Sequence, residues 1–228
     1  MKILPVEQGS VDWAIARSGI PTASEFDNLV TPKFEARDGV MPKTYLAKKL
    51  AEAWTGGPLV EFNTFDMDQG TILQDEAIPW FELTLGQSVE RVGLVTTDDG
   101  RIGCSPDGLL GDHGGLEIKC PAIHTHIKYL LDGGLPKDYA AQVHGAMFVT
   151  GRRWWKFLSY RRHFPALLFH VERDEAIQER LREALDNFLA VFDAAMKTLE
   201  ALNGGPPKRF TRTTPIPTAL NDENDSIP

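Results

Sequence analysis

At 228 residues with 42% hydrophobic side chains, the chain is long and apolar enough to bury a substantial core, which excludes global disorder. No apolar run approaches the roughly 20 residues of a bilayer-spanning helix and Met1–Glu7 has no signal-peptide core, so a soluble, cytoplasmic protein is expected. A net charge of −8 argues against a protein that simply coats nucleic acid, and two cysteines without a CxxC pair exclude an iron–sulfur cluster held by this chain alone.

Residues 1–30 open with a loop and a short amphipathic segment around Trp13, Ile15 and Ile20. Thr22-Ala23-Ser24-Glu25 has the form of a capping box, with Thr22 as N-cap and Glu25 three residues on. Residues 31–42, with Pro32, Gly39 and Pro42, predict a loop. Tyr45, Leu46, Leu50 and Trp54 recur at helical spacing over 43–55, and Gly56-Gly57 stops them. A second helix is expected over 67–85, kinked or interrupted at Pro79. Three strands follow at 89–97, 101–110 and 115–120, with Asp98-Asp99-Gly100 as a hairpin turn and Gly111–Gly115 as a second reversal. Helices at 124–132 and 137–150, strands at 152–160 and 166–171, and a long helix capped by Asp174 complete the pattern. The stripe Ile177, Leu181, Leu185, Phe188, Phe192, Ala195 and Leu199 reads as a core face, with a subunit contact as the alternative. The order predicts an α/β (α+β) architecture, a central mixed β-sheet flanked by helices. One domain over 1–203 is expected, and the Pro-rich polar segment 204–228 is expected to be a mobile tail unless a partner orders it.

The chemistry concentrates between Cys104 and Cys120, read as two ordinary packed thiols of a reducing compartment. Asp107 stands ten residues before Glu117, and Lys119 follows after one apolar residue. A hairpin brings the two acids together, and carboxylates a few ångström apart repel unless a cation lies between them. Oxygen-only ligation of this kind suits Mg²⁺, with Mn²⁺ as substitute. Lys119 alternates with Glu117 about Ile118, so both face one side, read as solvated opposite a buried Leu116–Ile118 side. A lysine placed there can orient or deprotonate the attacking water of a phosphodiesterase. Arg152, Arg153, Lys156, Arg161 and Arg162 interleave with Trp154, Trp155 and Tyr160, and Lys43, Lys48 and Lys49 form a second basic stretch. Each is either a solvated face or part of a nucleic-acid surface. His124, His126 and His144 lack the spacing of a zinc site.

Pro106-Asp107 … Glu117-Ile118-Lys119 resembles the signature of the restriction-endonuclease-like PD-(D/E)XK nucleases. More of the chain is similar to one branch, the phage lambda exonuclease (YqaJ-type viral recombinase) family. That resemblance rests on Val6-Glu7-Gln8-Gly9, Arg17 through Glu25, Cys104 through Leu109, Gly115 through Pro121, and Ala141-Gln142-Val143 ahead of Met147; Val171-Glu172-Arg173-Asp174 extends it. It implies a restriction-endonuclease-like core and a Mg²⁺-dependent 5′→3′ exonuclease that processively degrades one strand of linear duplex DNA for phage-type recombination, leaving 3′ overhangs. It further implies a ring-shaped homotrimer and a single-strand annealing protein as partner. On this resemblance Asp107, Glu117 and the Ile118 carbonyl are metal ligands, Lys119 handles the water, and Gln142 is an active-site glutamine. Arg17, Ser24 and Ser105 match positions that hold the terminal 5′-phosphate. The family's glutamate on the preceding helix is replaced by Gln74, which leaves one metal ion or two open; Glu76, two residues on, faces elsewhere on a helix. An endonuclease or structure-specific nuclease on the same core, and a non-catalytic DNA-binding protein, are the alternatives.

Overall fold

The computed structural model describes residues 1–59 and 65–205, with side chains for all of these except 65–72 and 203. Two sheets form, and the segment from Gly103 to Leu110 passes from one to the other. β1 (Lys2–Leu4), β2 (Leu94–Thr96) and β3 (Gly103–Cys104) make a small antiparallel sheet in that order. β4 (Gly108–Leu110), β5 (Gly114–Lys119), β6 (Trp154–Ser159) and β7 (Leu167–Glu172) make a mixed sheet. Its β5–β6 pair is parallel and the flanking pairs are antiparallel. Parallel neighbours need a crossover, and here two helices supply it, α4 (Ile123–Asp132) and α5 (Lys137–Thr150). α1 (Val11–Arg17), α2 (Val40–Thr55) and α3 (Phe65–Leu85) lie earlier in the chain, and α6 (Glu175–Asn203) closes it.

The mixed sheet is covered on both faces. Leu110, Leu116, Ile118 and Leu158 pack with Ala77, Ile78 and Phe81 of α3. Leu109, Trp155 and Phe157 join Met147 of α5 and Leu181 and Leu185 of α6 in a larger cluster. Asp174 caps α6 as expected, its carboxylate accepting from the backbone N–H groups of Ala176 (2.9 Å) and Ile177 (3.2 Å). The apolar stripe of α6 is core through Leu181, Leu185 and Phe188, while its last position, Leu199, is exposed.

Several local expectations change. The strand expected over 101–110 breaks at Ser105–Asp107, because Pro106 has no N–H to donate to a ladder. Its halves join different sheets. The strand expected over 89–97 pairs as a strand only at Leu94–Thr96, with Glu90 bridging Leu109. α3 runs through Pro79 without interruption; buried contacts at Ala77, Ile78 and Phe81 hold it on both sides of the proline. α2 starts at Val40, so Pro42 falls in its first turn, where the missing N–H has no intrahelical partner to lose. Thr22-Ala23-Ser24-Glu25 does not make a capping box: a 3-10 helix spans Ala23–Asn28 and the Thr22 side chain caps no backbone N–H. Residues 206–228, most of the expected tail, lie outside the described residues.

The basic, aromatic stretch 152–162 is internal in part: Arg152 and Trp155 are buried, while Arg153 and Arg162 are exposed and Lys156 and Arg161 half-buried. Arg152 is buried and its Nη1 donates to the Gly111 (2.6 Å) and Gly114 (2.7 Å) carbonyls, fastening the β4–β5 turn. Trp155 is fully buried. The reversal expected over Gly111–Gly115 is shorter than that: Gly111 turns with φ +53°, while Gly114 and Gly115 belong to β5. Their role is room. A Cβ on Gly115 would stand 2.3 Å from the Trp155 ring, and one on Gly114 would stand 2.1 Å from Trp154. Gly115→Ala is therefore expected to destabilise by about 2 kcal/mol or more, as overpacked cores do, lowering the melting temperature by roughly 5 °C. A calorimetric melt within a degree of the parent would show that the ring can yield.

Candidate active site

The β4–β5 register pairs Gly108 with Leu116, and one further step sets Asp107 across from Glu117. Asp107 Oδ2 accepts from the Ile118 backbone N–H at 2.5 Å. Glu117 is 3% exposed, so the solvated face expected for it is not present. The reason is the crossover: α5 lies over that side of β5, and Gln142 Nε2 donates to Glu117 Oε1 at 2.6 Å. Lys119 Nζ reaches the same oxygen at 2.7 Å and keeps about a quarter of its surface, at 27%. Its ammonium also sits 5.0 Å from the Tyr139 ring centre. Tyr139 and Gln142 are three residues apart on α5 and so share the face that meets the strand.

Burial and the Glu117 charge push the Asp107 carboxyl up to about 8. Burial likewise raises Glu117 above the usual carboxylate range, although Lys119 and Gln142 act against it. For Lys119, burial disfavours the ammonium, but Glu117 and Asp107 outweigh that and hold its pKa above the ordinary lysine value. Two acids whose charged forms are disfavoured by burial suit a hard divalent cation, which carboxylate and carbonyl oxygens would hold. Asp107, Glu117 and the Ile118 carbonyl are the oxygen groups placed to hold such a cation. Among the described residues no cluster of three or more His, Cys, Asp or Glu side chains is arranged around a common point. The third side chain here is neutral: the Gln74 amide of α3 donates to Asp107 Oδ1. Its acidic neighbours are engaged elsewhere, Glu76 with Arg162 and Asp75 with Arg91 at 2.7 Å. His126 has both ring nitrogens occupied, by Ser159 Oγ (2.7 Å) and the Pro165 carbonyl (2.9 Å), and His144 packs edge-on against Phe34.

Arg17, Ser24 and Ser105 are drawn together by Trp13, expected from sequence only as an apolar position of the first amphipathic segment. Its indole Nε1 donates to Ser105 Oγ at 2.8 Å, and the Arg17 guanidinium stacks 4.4 Å over its ring. Arg17 Nη2 then donates to Thr22 Oγ1 (3.2 Å) and Ser24 Oγ (3.3 Å). The 3-10 helix that contains Ser24 has only six residues, so its hydroxyl rather than a helix dipole is what Ser24 offers. Ser105 and Asp107 sit on either side of Pro106, so one short segment serves both groups. Gln8 fixes that segment, donating to the Pro106 carbonyl (2.7 Å) and the Val92 carbonyl (2.9 Å). Gln8, Gln74, Arg91 and Asp107 line a cleft of about 600 Å³. Tyr139, Trp13 and Gln8 carried little sequence signal, since each is identified only by what it touches. Gln8 did lie in a stretch quoted for the family resemblance.

A mixed sheet flanked by helices, with two carboxylates and a lysine grouped on its β4–β5 hairpin, defines a fold of the phage exonuclease class. It is similar to the crystal structure of an alkaline exonuclease (LHK-Exo) from Laribacter hongkongensis, with TM-score 0.78 and 30% identity, over 86% of this chain and 98% of that one. LHK-Exo in complex with dAMP matches equally, with TM-score 0.78 and 30% identity over the same shares. A phage-related exonuclease from Haemophilus somnus 129PT shares the fold at TM-score 0.64 and 13% identity, over 79% of this chain and 96% of that one. Comparison with curated proteins gives no match. The profile of the YqaJ-like viral recombinase domain matches residues 12–153, and the chain belongs to that family.

Proposed function

We propose that this nuclease is a Mg²⁺-dependent 5′→3′ exonuclease that degrades one strand of linear duplex DNA and leaves 3′ overhangs for recombination. One observation carries the reading. Ser105 belongs to the Arg17–Trp13–Ser24 group and Asp107 to the carboxylate group, with Pro106 alone between them. A terminal phosphate held by the first group sets the register in which the second group meets the next phosphodiester. Arg17 grips a phosphate through its guanidinium plane, and the Ser24 and Ser105 hydroxyls donate to it. Each cut presents a new 5′-phosphate, which favours processive advance.

When bound, the cation lowers the charge on the scissile phosphate and the pKa of water beside it. Lys119 points its ammonium into the same space and orients the attacking water; with a cation offsetting the Asp107 and Glu117 charges that hold its pKa up, it would release its own proton to solvent, and the neutral amine would then take the proton of the water. Gln142 holds the Glu117 carboxylate by one oxygen. Gln74 holds Asp107 without adding charge, which favours a single tightly held ion. On this reading Gln74→Glu creates a second, tighter site, seen as a lower Mg²⁺ concentration for half-maximal rate and as a second ion in calorimetric titration. An unchanged Mg²⁺ dependence would place Gln74 outside the ion's surroundings. On the family resemblance the working form is a homotrimeric ring around DNA in the host cytoplasm, acting beside a single-strand annealing protein.

The test is digestion of duplexes with 5′-phosphate, 5′-hydroxyl or blocked 5′ ends, and of a closed circle, with and without Mg²⁺. Phosphorylated linear ends are degraded fastest and the circle survives. Nicking of the circle would make the protein an endonuclease, and release of nothing would leave a DNA-binding protein. Arg17→Ala is expected to erase the preference for phosphorylated over hydroxyl ends, by about tenfold, one charge-assisted contact. An unchanged ratio of initial rates would make Arg17 a surface residue.

A further inference from the structure

Lys49 was read from sequence as part of an exposed basic stretch. It is 2% exposed and lies between two carboxylates, Glu25 Oε2 at 2.9 Å and Glu52 Oε2 at 3.0 Å. Glu52, also buried, accepts from the Gly19 backbone N–H at 2.9 Å. Gly19 has φ +76° and presses so closely on α2 that a Cβ there would stand 2.9 Å from Ala53. On the other side, Glu25 Oε2 accepts from Thr22 Oγ1 at 3.3 Å, and Glu25 Oε1 meets Lys48 Nζ at 3.1 Å. Tyr45, stacked near Lys49, adds its hydroxyl to Glu25 Oε2 at 3.4 Å.

Buried charge networks of this kind add little to stability, because desolvation offsets the attraction; what they supply is fixed geometry. The geometry here is directional. Arg17 can only donate, and its Nη2 meets Thr22 Oγ1 at 3.2 Å, so Thr22 must turn a lone pair toward it and its one hydrogen away. The Glu25 carboxylate at 3.3 Å is a charged acceptor for that hydrogen, against the more distant Ser24 hydroxyl at 3.5 Å. The guanidinium is left clamped between Thr22, Ser24 and the Trp13 ring. Burial alone would raise the Glu25 pKa, but Lys49 and Lys48 outweigh it and keep the carboxylate charged, as the acceptor role requires.

We infer that Lys49 is a positioning residue for the terminal-phosphate pocket, acting through Glu25 and Thr22 on Arg17 while Glu52 anchors the same loop at Gly19. This rests on the proposed role of Arg17 at the 5′ end. Lys49 meets Glu25, Glu52 and Tyr45 rather than Asp107, Glu117 or Lys119, so its loss alters end discrimination rather than hydrolysis.

The experiment compares the parent, Arg17→Ala and the double variant Lys49→Met/Glu52→Gln. The double variant removes the buried cation with its buried counter-charge, and Glu25 keeps Lys48. Initial rates are measured at subsaturating concentrations of 5′-phosphorylated and 5′-hydroxyl duplexes, after a cooperative melt has been established. The phosphate-to-hydroxyl ratio is expected to fall about tenfold in the double variant, the size of one lost charge-assisted contact, with the rate on hydroxyl ends within about twofold of the parent. A parent-like ratio in the double variant, beside a lowered ratio in Arg17→Ala, overturns the inference. A parent ratio of one, or an Arg17→Ala ratio equal to the parent's, overturns the reading of the pocket and the inference with it. If the double variant fails to melt cooperatively, Glu25→Gln is read in its place with the same outcomes, since Glu25 is partly exposed and the amide keeps its shape.

Discussion

Lys119→Ala is expected to slow cleavage of a linear duplex by about 10²–10⁴-fold, the usual worth of a positioned acid–base group. The fold should survive the change. Lys119 is only partly buried, its removal opens no closed cavity, and Gln142 still donates to Glu117. Glu117, deprived of its ammonium, takes up a proton more readily, so the metal-free melting temperature moves little. DNA binding in the presence of Ca²⁺ should also persist, since no phosphate-pocket residue touches Lys119. The measurement is single-turnover release of nucleotide in excess Mg²⁺. Parent-like turnover would remove Lys119 from the reaction and leave it a charge partner of Glu117.

Asp107→Asn is expected to abolish activity and to separate two effects on stability that have opposite signs. The Asp107 carboxyl is raised to about 8 in the folded chain from an ordinary value of 3.8. A carboxyl raised on folding is favoured in its protonated form. Its contribution is present below the ordinary value and is lost as pH rises through the folded value, so the ion-free protein weakens between about pH 4 and pH 8. Asparagine carries no such charge, and Gln74 can turn its amide over to pair with it. In EDTA at pH 8 the variant should therefore melt at or above the parent temperature. Mg²⁺ at a hundredfold excess over its dissociation constant stabilises a binding protein by about 2.7 kcal/mol, roughly 5–10 °C for a chain of this size. The parent should show that rise, larger at pH 8 than at pH 6, because below its pKa the ion must displace a proton. The variant should not. An equal Mg²⁺-induced rise in both proteins would move the ion away from Asp107.

Much of the centre was legible because the chain keeps it local. Asp107, Glu117 and Lys119 lie on one hairpin, so alternation and one turn suffice to bring them together, and the structure does so. Helix positions were legible for the same reason, wherever an apolar period and a glycine stop coincide, as at α2 and α6. The Asp174 cap is a contact over two and three residues, and composition alone specifies it.

What the sequence did not determine depends on which elements pack face to face. Glu117 looked solvated because alternation assigns it a face but does not say what covers that face; α5 covers it, and burial is what raises its pKa. Arg152, Lys49 and Trp155 read as a basic, aromatic surface, yet each is internal, because a charge's burial depends on distant partners such as Gly111, Gly114 and Glu25. Trp13 and Ser105 are 92 residues apart, and only the meeting of α1 with the seam between the sheets joins them. Sequence by itself determined the chemistry of the carboxylate hairpin, since hydrogen-bond register acts over a few residues. Tertiary packing decided its electrostatics and the adjoining Arg17–Trp13–Ser105 cluster, since desolvation and long-range contacts are properties of surfaces that come together only in the folded chain.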